Sequence, residues 1–147
     1  MQHRIVSLLD SDKAIGEALT ALLGTYGISV ATYRDAQSFE QEIRTREPNV
    51  SCLLIDASQP DVSSFSLLRR IREYDVDTPV LVMIPAARDD IRRRAFRDGA
   101  TDVIEKQFTK RDLVGRILEL LNGDMGTTRK PTATIDLESD SGFWRES

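Results

Sequence analysis

Cys52-Leu53-Leu54-Ile55-Asp56 is a short apolar run closed by a carboxylate. With no polar residue alternating through it, such a run suits a strand buried on both faces, as in the middle of a parallel sheet. Toward the N-terminus, Ile5-Val6-Ser7-Leu8-Leu9 and the span from Ile28 to Tyr33 have the same character, and toward the C-terminus so do Val80 to Ile84 and Val103-Ile104. Five strands are therefore expected. The segments between them have helical spacing. Ile15, Leu19, Leu22, Leu23 and Tyr26 form one stripe, with Gly27 placed to end it as a C′ residue. A second helix opens at Asp35 as N-cap with Ala36, Phe39 and Ile43 inward. A third follows Ser63 or Ser64 with Phe65, Leu68 and Ile71 inward. The fourth runs from about Asp89 to Phe96 and stops at Gly99. The fifth opens with Thr109 and Asp112 in a capping-box arrangement, carries Leu113, Ile117, Leu120 and Leu121, and ends at Asn122-Gly123.

Strand and helix alternating five times implies right-handed crossovers and an α/β fold: a five-stranded parallel sheet with helices on both faces. The length and composition agree. With 147 residues, 40% hydrophobic and 30% charged, the chain has the make-up of one globular domain with an appendage. Residues 1–123 are expected to form the domain. Residues 124–147 are rich in Gly, Thr, Pro, Ser and charge, lack apolar periodicity, and read as a flexible acidic tail or linker in which Phe143-Trp144 is the one bulky pair. The formal charge of -4 has the wrong sign for holding nucleic acid by phosphate neutralisation. The apolar stretch at the N-terminus is interrupted at Ser7 and stopped at Asp10, too short for a signal peptide or a membrane span. A cytoplasmic location is expected. Cys52, the single cysteine, lies inside the apolar run and is expected to be a buried, inert thiol; with His3 as the single histidine it cannot supply the four ligands of a structural zinc site.

In an open parallel sheet, chemistry gathers beyond the carboxyl ends of the strands, where the strand order reverses. Those ends carry Asp10-Ser11-Asp12, Asp56, Ile84 and Lys106. A lone strand-end Asp is commonly a cap or turn residue. Several carboxylates on one rim repel one another and call for a cation, and Mg²⁺ suits a site of oxygens that keeps several waters. Lys106 adds a second positive charge, and a carboxylate so placed can attack phosphorus.

The ordered set Leu8-Leu9-Asp10-Ser11-Asp12, Leu53-Leu54-Ile55-Asp56 with Gln59-Pro60-Asp61, Asp75 through Pro79-Val80-Leu81-Val82, and Asp98-Gly99-Ala100-Thr101-Asp102-Val103-Ile104-Glu105-Lys106 resembles the receiver domain of bacterial two-component response regulators. The resemblance spans about residues 4–121, and the block spacing is similar to that of receivers on nitrogen-fixation and respiratory regulators. It implies a (βα)5 flavodoxin-like fold and a signalling role rather than an enzyme. Asp56 looks like the acceptor of a phosphoryl group from a sensor histidine kinase or phosphotransfer protein. Asp10 and Asp56, with Asp12 as a third candidate, look like the Mg²⁺ ligands, and Lys106 resembles the lysine that contacts the phosphoryl group.

Four positions depart from that pattern. Ser11 stands where the family usually has a second acid, Ile84 where it has a Thr or Ser, Val103 where it has an aromatic, and Gln107 where it has a Pro after the lysine. Losing one unit charge a few Å from another is worth on the order of 4 kcal/mol before desolvation and screening. Weak or absent Mg²⁺ binding is therefore expected unless Asp12 turns inward, although its spacing suits an N-cap of the first helix. Ile84 cannot donate a hydrogen bond, and Lys106-Gln107 is expected to be trans. The reading is a receiver with an altered switch, either weakly phosphorylated or acting as a phosphorylation-independent interaction module. Arg88, Arg92, Arg93, Arg94 and Arg97 give the fourth helix a basic face. It is either a solvated surface with local ion pairs or a partner surface, since receivers dimerise or signal through the fourth helix, fifth strand and fifth helix. A rival reading is a small Asp-dependent phosphatase using Asp10 as nucleophile and Asp12 as acid/base, similar to the haloacid dehalogenase phosphatases, although Ala14 stands where that family has Thr or Val. A nucleotide-binding flavodoxin-like protein ranks lower, because no Gly-rich loop follows the first strand.

Overall fold

The computed structural model describes residues 4–10, 13–45, 52–57 and 62–122. Ser11, Asp12, the Gln59-Pro60-Asp61 block and the expected tail all lie outside those residues. Within them the chain runs β1 (Ile5–Leu9), α1 (Lys13–Gly24), β2 (Ser29–Tyr33), α2 (Ala36–Thr45), β3 (Cys52–Asp56), α3 (Val62–Tyr74), β4 (Val80–Ile84), α4 (Asp89–Asp98), β5 (Asp102–Glu105) and α5 (Lys110–Leu121). All strand pairs are parallel, in the order β2-β1-β3-β4-β5.

The alternation of side chains along each strand splits the core in two. Leu53, Ile55, Val80, Val82, Ile84 and Val103 face the layer that holds Phe39, Phe65, Leu68, Ile71, Ile91 and Ala95 from α2, α3 and α4. Cys52, Leu54, Leu81, Met83 and Ile104 face the opposite layer, formed by Leu19 and Leu23 of α1 and Leu113, Ile117 and Leu120 of α5. Both faces of the central strands are thus apolar, which is why their sequences are continuous rather than alternating. The Cys52 thiol is fully enclosed and burial pushes it up to about 12, so it stays protonated at neutral pH.

The helix ends follow from named residues. Gly27, at φ 76°, donates to Gly24 O (3.0 Å) while Ile28 donates to Leu23 O (3.1 Å), the two bonds of a Schellman turn. Ile28 is consumed by this turn, so β2 begins one residue later than the apolar run suggests. Tyr26 does not face inward as its spacing predicted: it lies within the turn and is 59% exposed. Asp35 accepts from Ser38 N at 2.7 Å, which holds its carboxyl below the usual range and caps α2. The expected capping box is present on α5: Asp112 N donates to Thr109 Oγ1 at 2.8 Å and Thr109 N donates to Asp112 Oδ2 at 3.2 Å. The third helix starts at Val62, ahead of the expected serines, and the fourth extends to Asp98. Gly99 then closes α4 at φ 122°, a conformation side chains rarely adopt, and a Cβ there would come within 2.5 Å of Arg72 Cγ.

Arg72 fastens the amino-end loops of the sheet. Its guanidinium donates to Gly99 O, Asp75 O, Thr78 O and Thr101 Oγ1, all within 3.1 Å. Asp75 in turn accepts from Thr78 N and Thr78 Oγ1. Part of the Asp75-to-Pro79 block is therefore a structural knot at the end of the sheet opposite the acidic rim.

Candidate functional site

Register alone places the acidic residues side by side. Leu9 pairs with Ile55 across β1 and β3, so the next residues, Asp10 and Asp56, sit abreast at the carboxyl end. In the order β2-β1-β3-β4-β5 this is where the chain's direction of travel across the sheet reverses. Asp10 follows Leu8, and Asp56 follows Leu54, at two-residue spacing; both therefore belong to the α1/α5 side of the sheet. Asp10 is only 8% exposed, and its backbone N donates to Tyr33 O at 3.1 Å, which anchors the rim to β2.

Lys106 reaches the same spot from β5. Its backbone N donates to Ile84 O at 2.7 Å, extending the β4–β5 ladder by one step. From there its Nζ lies 3.9 Å from Asp56 Oδ1, a partly exposed ion pair. The following residue, Gln107, is trans-linked and left-handed at φ 74°, an arrangement that costs a non-glycine about 1–2 kcal/mol. The loop that presents Lys106 thus turns without proline. Positions 10, 56 and 106 are brought together; Ser11 and Asp12 fall outside the described residues.

Two adjacent carboxylates are hard oxygen donors that suit Mg²⁺, which binds through one or two carboxylates and keeps several waters. Asp10 and Asp56 would hold it. Among the described residues no group of three or more His, Cys, Asp or Glu side chains is placed to hold a metal.

The altered positions behave differently. Ile84, at the end of β4, and Val103, within β5, are both enclosed in the layer beneath α3 and α4, together with Ile91 and Ala95 of α4. They offer no hydroxyl and no ring to the rim.

The arginines of α4 divide. Arg88 makes two hydrogen bonds to Asp90 (3.0 and 2.9 Å), which holds the Asp90 carboxyl down at about 2. Arg92 donates to Glu105 at 2.6 Å, and Ala87 N adds a 3.3 Å bond to the same carboxylate; the two hold Glu105 below its ordinary range, Arg92 contributing more. Arg94 pairs with Asp98 at 3.5 Å and stacks over Phe65 at 4.6 Å, while Arg69 of α3 also reaches Asp98 at 3.2 Å. Arg93 and Arg97 are exposed and make no ion pair with another described residue. The basic face is thus spent in large part on fastening α4 to β5 and α3. Sequence reasoning missed Glu105 and the buried acids Glu40, Asp98 and Asp102 as fastening points, because an acid on a helix or at either end of a strand looks like solvated surface. Glu40-x-x-x-Arg44 and Arg94-x-x-x-Asp98, both at i,i+4, were the local signals.

Comparison with known proteins agrees with this architecture. The family model for the response regulator receiver domain matches residues 6–118. The chain belongs to that family: it is a two-component receiver, a signalling module rather than a classical enzyme, and the family implies a histidine kinase partner. Among relatives, the transcriptional regulatory protein TrcR of Mycobacterium tuberculosis is 34% identical over 118 residues, covering 79% of this chain and 44% of that protein. The response regulator protein TodT of Pseudomonas putida is 26% identical over 113 residues, covering 77% and 49%. The chain spans about half the length of the curated relatives it matches. A response regulator receiver protein from Pseudoalteromonas atlantica superposes with a TM-score of 0.69 at 28% identity, covering 81% of this chain and 98% of that one. A response regulator from Thermotoga maritima gives a TM-score of 0.72 at 24% identity, covering 82% and 98%, a likeness of fold. No helix among the described residues is long and apolar enough to cross a membrane.

Proposed function

We propose that this receiver is a cytoplasmic protein-interaction module of a two-component pathway, in which Asp56 accepts phosphate poorly and the conformational readout of phosphorylation has been lost. The observation that carries this reading is the enclosure of Ile84 and Val103 under α4. In phosphorylation, an Asp56 oxygen would attack phosphorus, forming an O–P bond as the P–N bond to the kinase imidazole breaks and the imidazole keeps the electron pair. Lys106 Nζ, already 3.9 Å from the carboxylate, would neutralise charge on the transferring oxygens. Mg²⁺, when bound, supplies further charge neutralisation, and Ser11 in place of a second acid weakens its hold. Among the described residues, positions 84 and 103 hold no group to convert the new charge into movement: Ile84 cannot hydrogen-bond a phosphoryl oxygen, and Val103 has no polar tip to follow.

The family assignment and this geometry favour Asp56 over Asp10 as the reacting carboxylate, in contrast to the phosphatase reading. The exposed Arg93 and Arg97, and the outer faces of Arg88 and Arg92, are where an acidic patch on a second copy or another protein would meet α4. Intact-mass measurement after incubation with acetyl phosphate and Mg²⁺ tests the proposal. Little or no added phosphoryl group is expected, and any that appears should vanish in Asp56→Asn. Near-complete phosphorylation accompanied by amide shifts along α4 would overturn it.

A further inference from the structure

Between α1 and α5 the surface holds a second feature that the acidic rim does not explain. Ala14 and Ala18, one turn apart on α1, are too small to fill the space facing α5, and a groove of about 420 Å³ remains between the two helices. Its walls are apolar, with Ile15, Leu22 and Phe108 only partly covered, and its rim carries Lys106 and Lys110. The volume lies in the range of roughly 300–1,000 Å³ typical of ligand pockets. A groove with apolar walls and a lysine rim calls for an occupant with bulky apolar groups flanked by carboxylates.

The chain carries such a segment. Asp136-Leu137-Glu138-Ser139-Asp140-Ser141-Gly142-Phe143-Trp144 sets three acids ahead of its one Phe-Trp pair, with no base among them. We propose that this segment docks in the α1/α5 groove of its own chain, with Phe143 and Trp144 against Ala18, Leu22 and Phe108 and its acids toward Lys106 and Lys110. Reach is no obstacle. Twenty residues lie between Asn122 and Phe143, enough to span up to roughly 70 Å, whereas α5 is about 18 Å long. Charge chooses this groove over the neighbouring one of about 370 Å³ between α1 and β2, which is lined by Asp10 and Glu17 as well as Lys13 and Arg34 and would repel as much as attract. The inference does not depend on whether Asp56 is phosphorylated.

Trp144 is the chain's single tryptophan, so its emission reports the docking directly. In the full chain we expect blue-shifted emission and acrylamide quenching several-fold weaker than in Ala18→Glu, which fills the groove floor and sets a carboxylate against an acidic segment. The combined variant Asp136→Asn, Glu138→Gln and Asp140→Asn leaves residues 4–122 untouched and should expose Trp144 as well, so a folding defect in Ala18→Glu cannot decide the matter. Lys110→Glu should raise quenching, and adding Glu138→Lys should restore protection. Solvent-exposed emission in the unmodified chain, or protection that survives both Ala18→Glu and the neutralised segment, would overturn the proposal. Protection lost on dilution would mean that a second copy supplies the segment, which overturns docking within one chain.

Discussion

The two sides of the rim at the carboxyl ends of the strands are made of different material. On the α1/α5 side, Asp10, Asp56 and Lys106 gather polar chemistry, with Asp10 nearly enclosed and the Asp56–Lys106 pair partly exposed. On the α4 side, Ile84 and Val103 join Ile91 and Ala95 in a dry contact, and the polar ties of α4 run through Arg92–Glu105, Arg94–Asp98 and Arg69–Asp98. The alternation of side chains makes this separation possible: Asp56 and Ile84 end neighbouring strands yet belong to opposite layers. The charged groups of the rim and the residues packed under α4 thus belong to different layers, and one set can change while the other stays.

The contrast should appear most strongly in stability. Ile84→Ala removes buried aliphatic volume beneath α4 and is expected to cost about 2–5 kcal/mol in urea unfolding. Asp56→Asn keeps the side chain's volume and removes the charge from a partly exposed pair with Lys106, so it should change stability by no more than about 1 kcal/mol. Equal losses for the two variants would mean that the acidic side is as integral to the core as the α4 side, and the comparison would fail.

A finer measure uses two substitutions of nearly the same shape. Ile84→Val should cost about 0.5–1.5 kcal/mol. Ile84→Thr should cost a further 1–3 kcal/mol or so, because its hydroxyl would be enclosed without a partner. The gap between the two reads how dry the α4 side is. A gap near zero would show that water or the rim reaches this position, as it would have to in a working phosphoryl switch.

Much of this contrast is readable from the residues, and the exceptions have physical causes. The five strands are legible because strands buried on both faces must be apolar throughout, and α5 because its capping box is local. Tyr26 misleads because helical periodicity continues into the Schellman turn, where Gly27 redirects the chain and leaves the ring in solvent. The meeting of positions 10, 56 and 106 is legible only once strand order is assumed, since nothing local in Asp10 or Lys106 names the other. The arginines of α4 could not be sorted into tethered and exposed, because Glu105 and Arg69 belong to other elements and their approach depends on how the layers pack.

The smallest effect concerns the outer tie itself. The Glu105 carboxylate accepts from Arg92 and from Ala87 N, and both bonds hold it below its ordinary value of 4.5. A carboxyl depressed in the folded state binds fewer protons there than in the unfolded chain, so its contribution is fully present above 4.5 and fades as pH falls through the lowered folded value. Because the pair is partly exposed, that contribution is of order 0.2–1 kcal/mol and weakens with salt. Glu105→Gln should therefore lower stability slightly at neutral pH and bring the acid limb of the pH profile closer to flat, with the variant and the parent converging in acid. Arg92→Gln should raise the Glu105 titration midpoint, read by NMR, without moving it fully to the ordinary value, since Ala87 N still donates. A Glu105 that titrates at its ordinary midpoint in the parent would show that α4 is not fastened to β5 in solution, and would remove the outer half of the contrast while leaving the dry contact at Ile84 to stand alone.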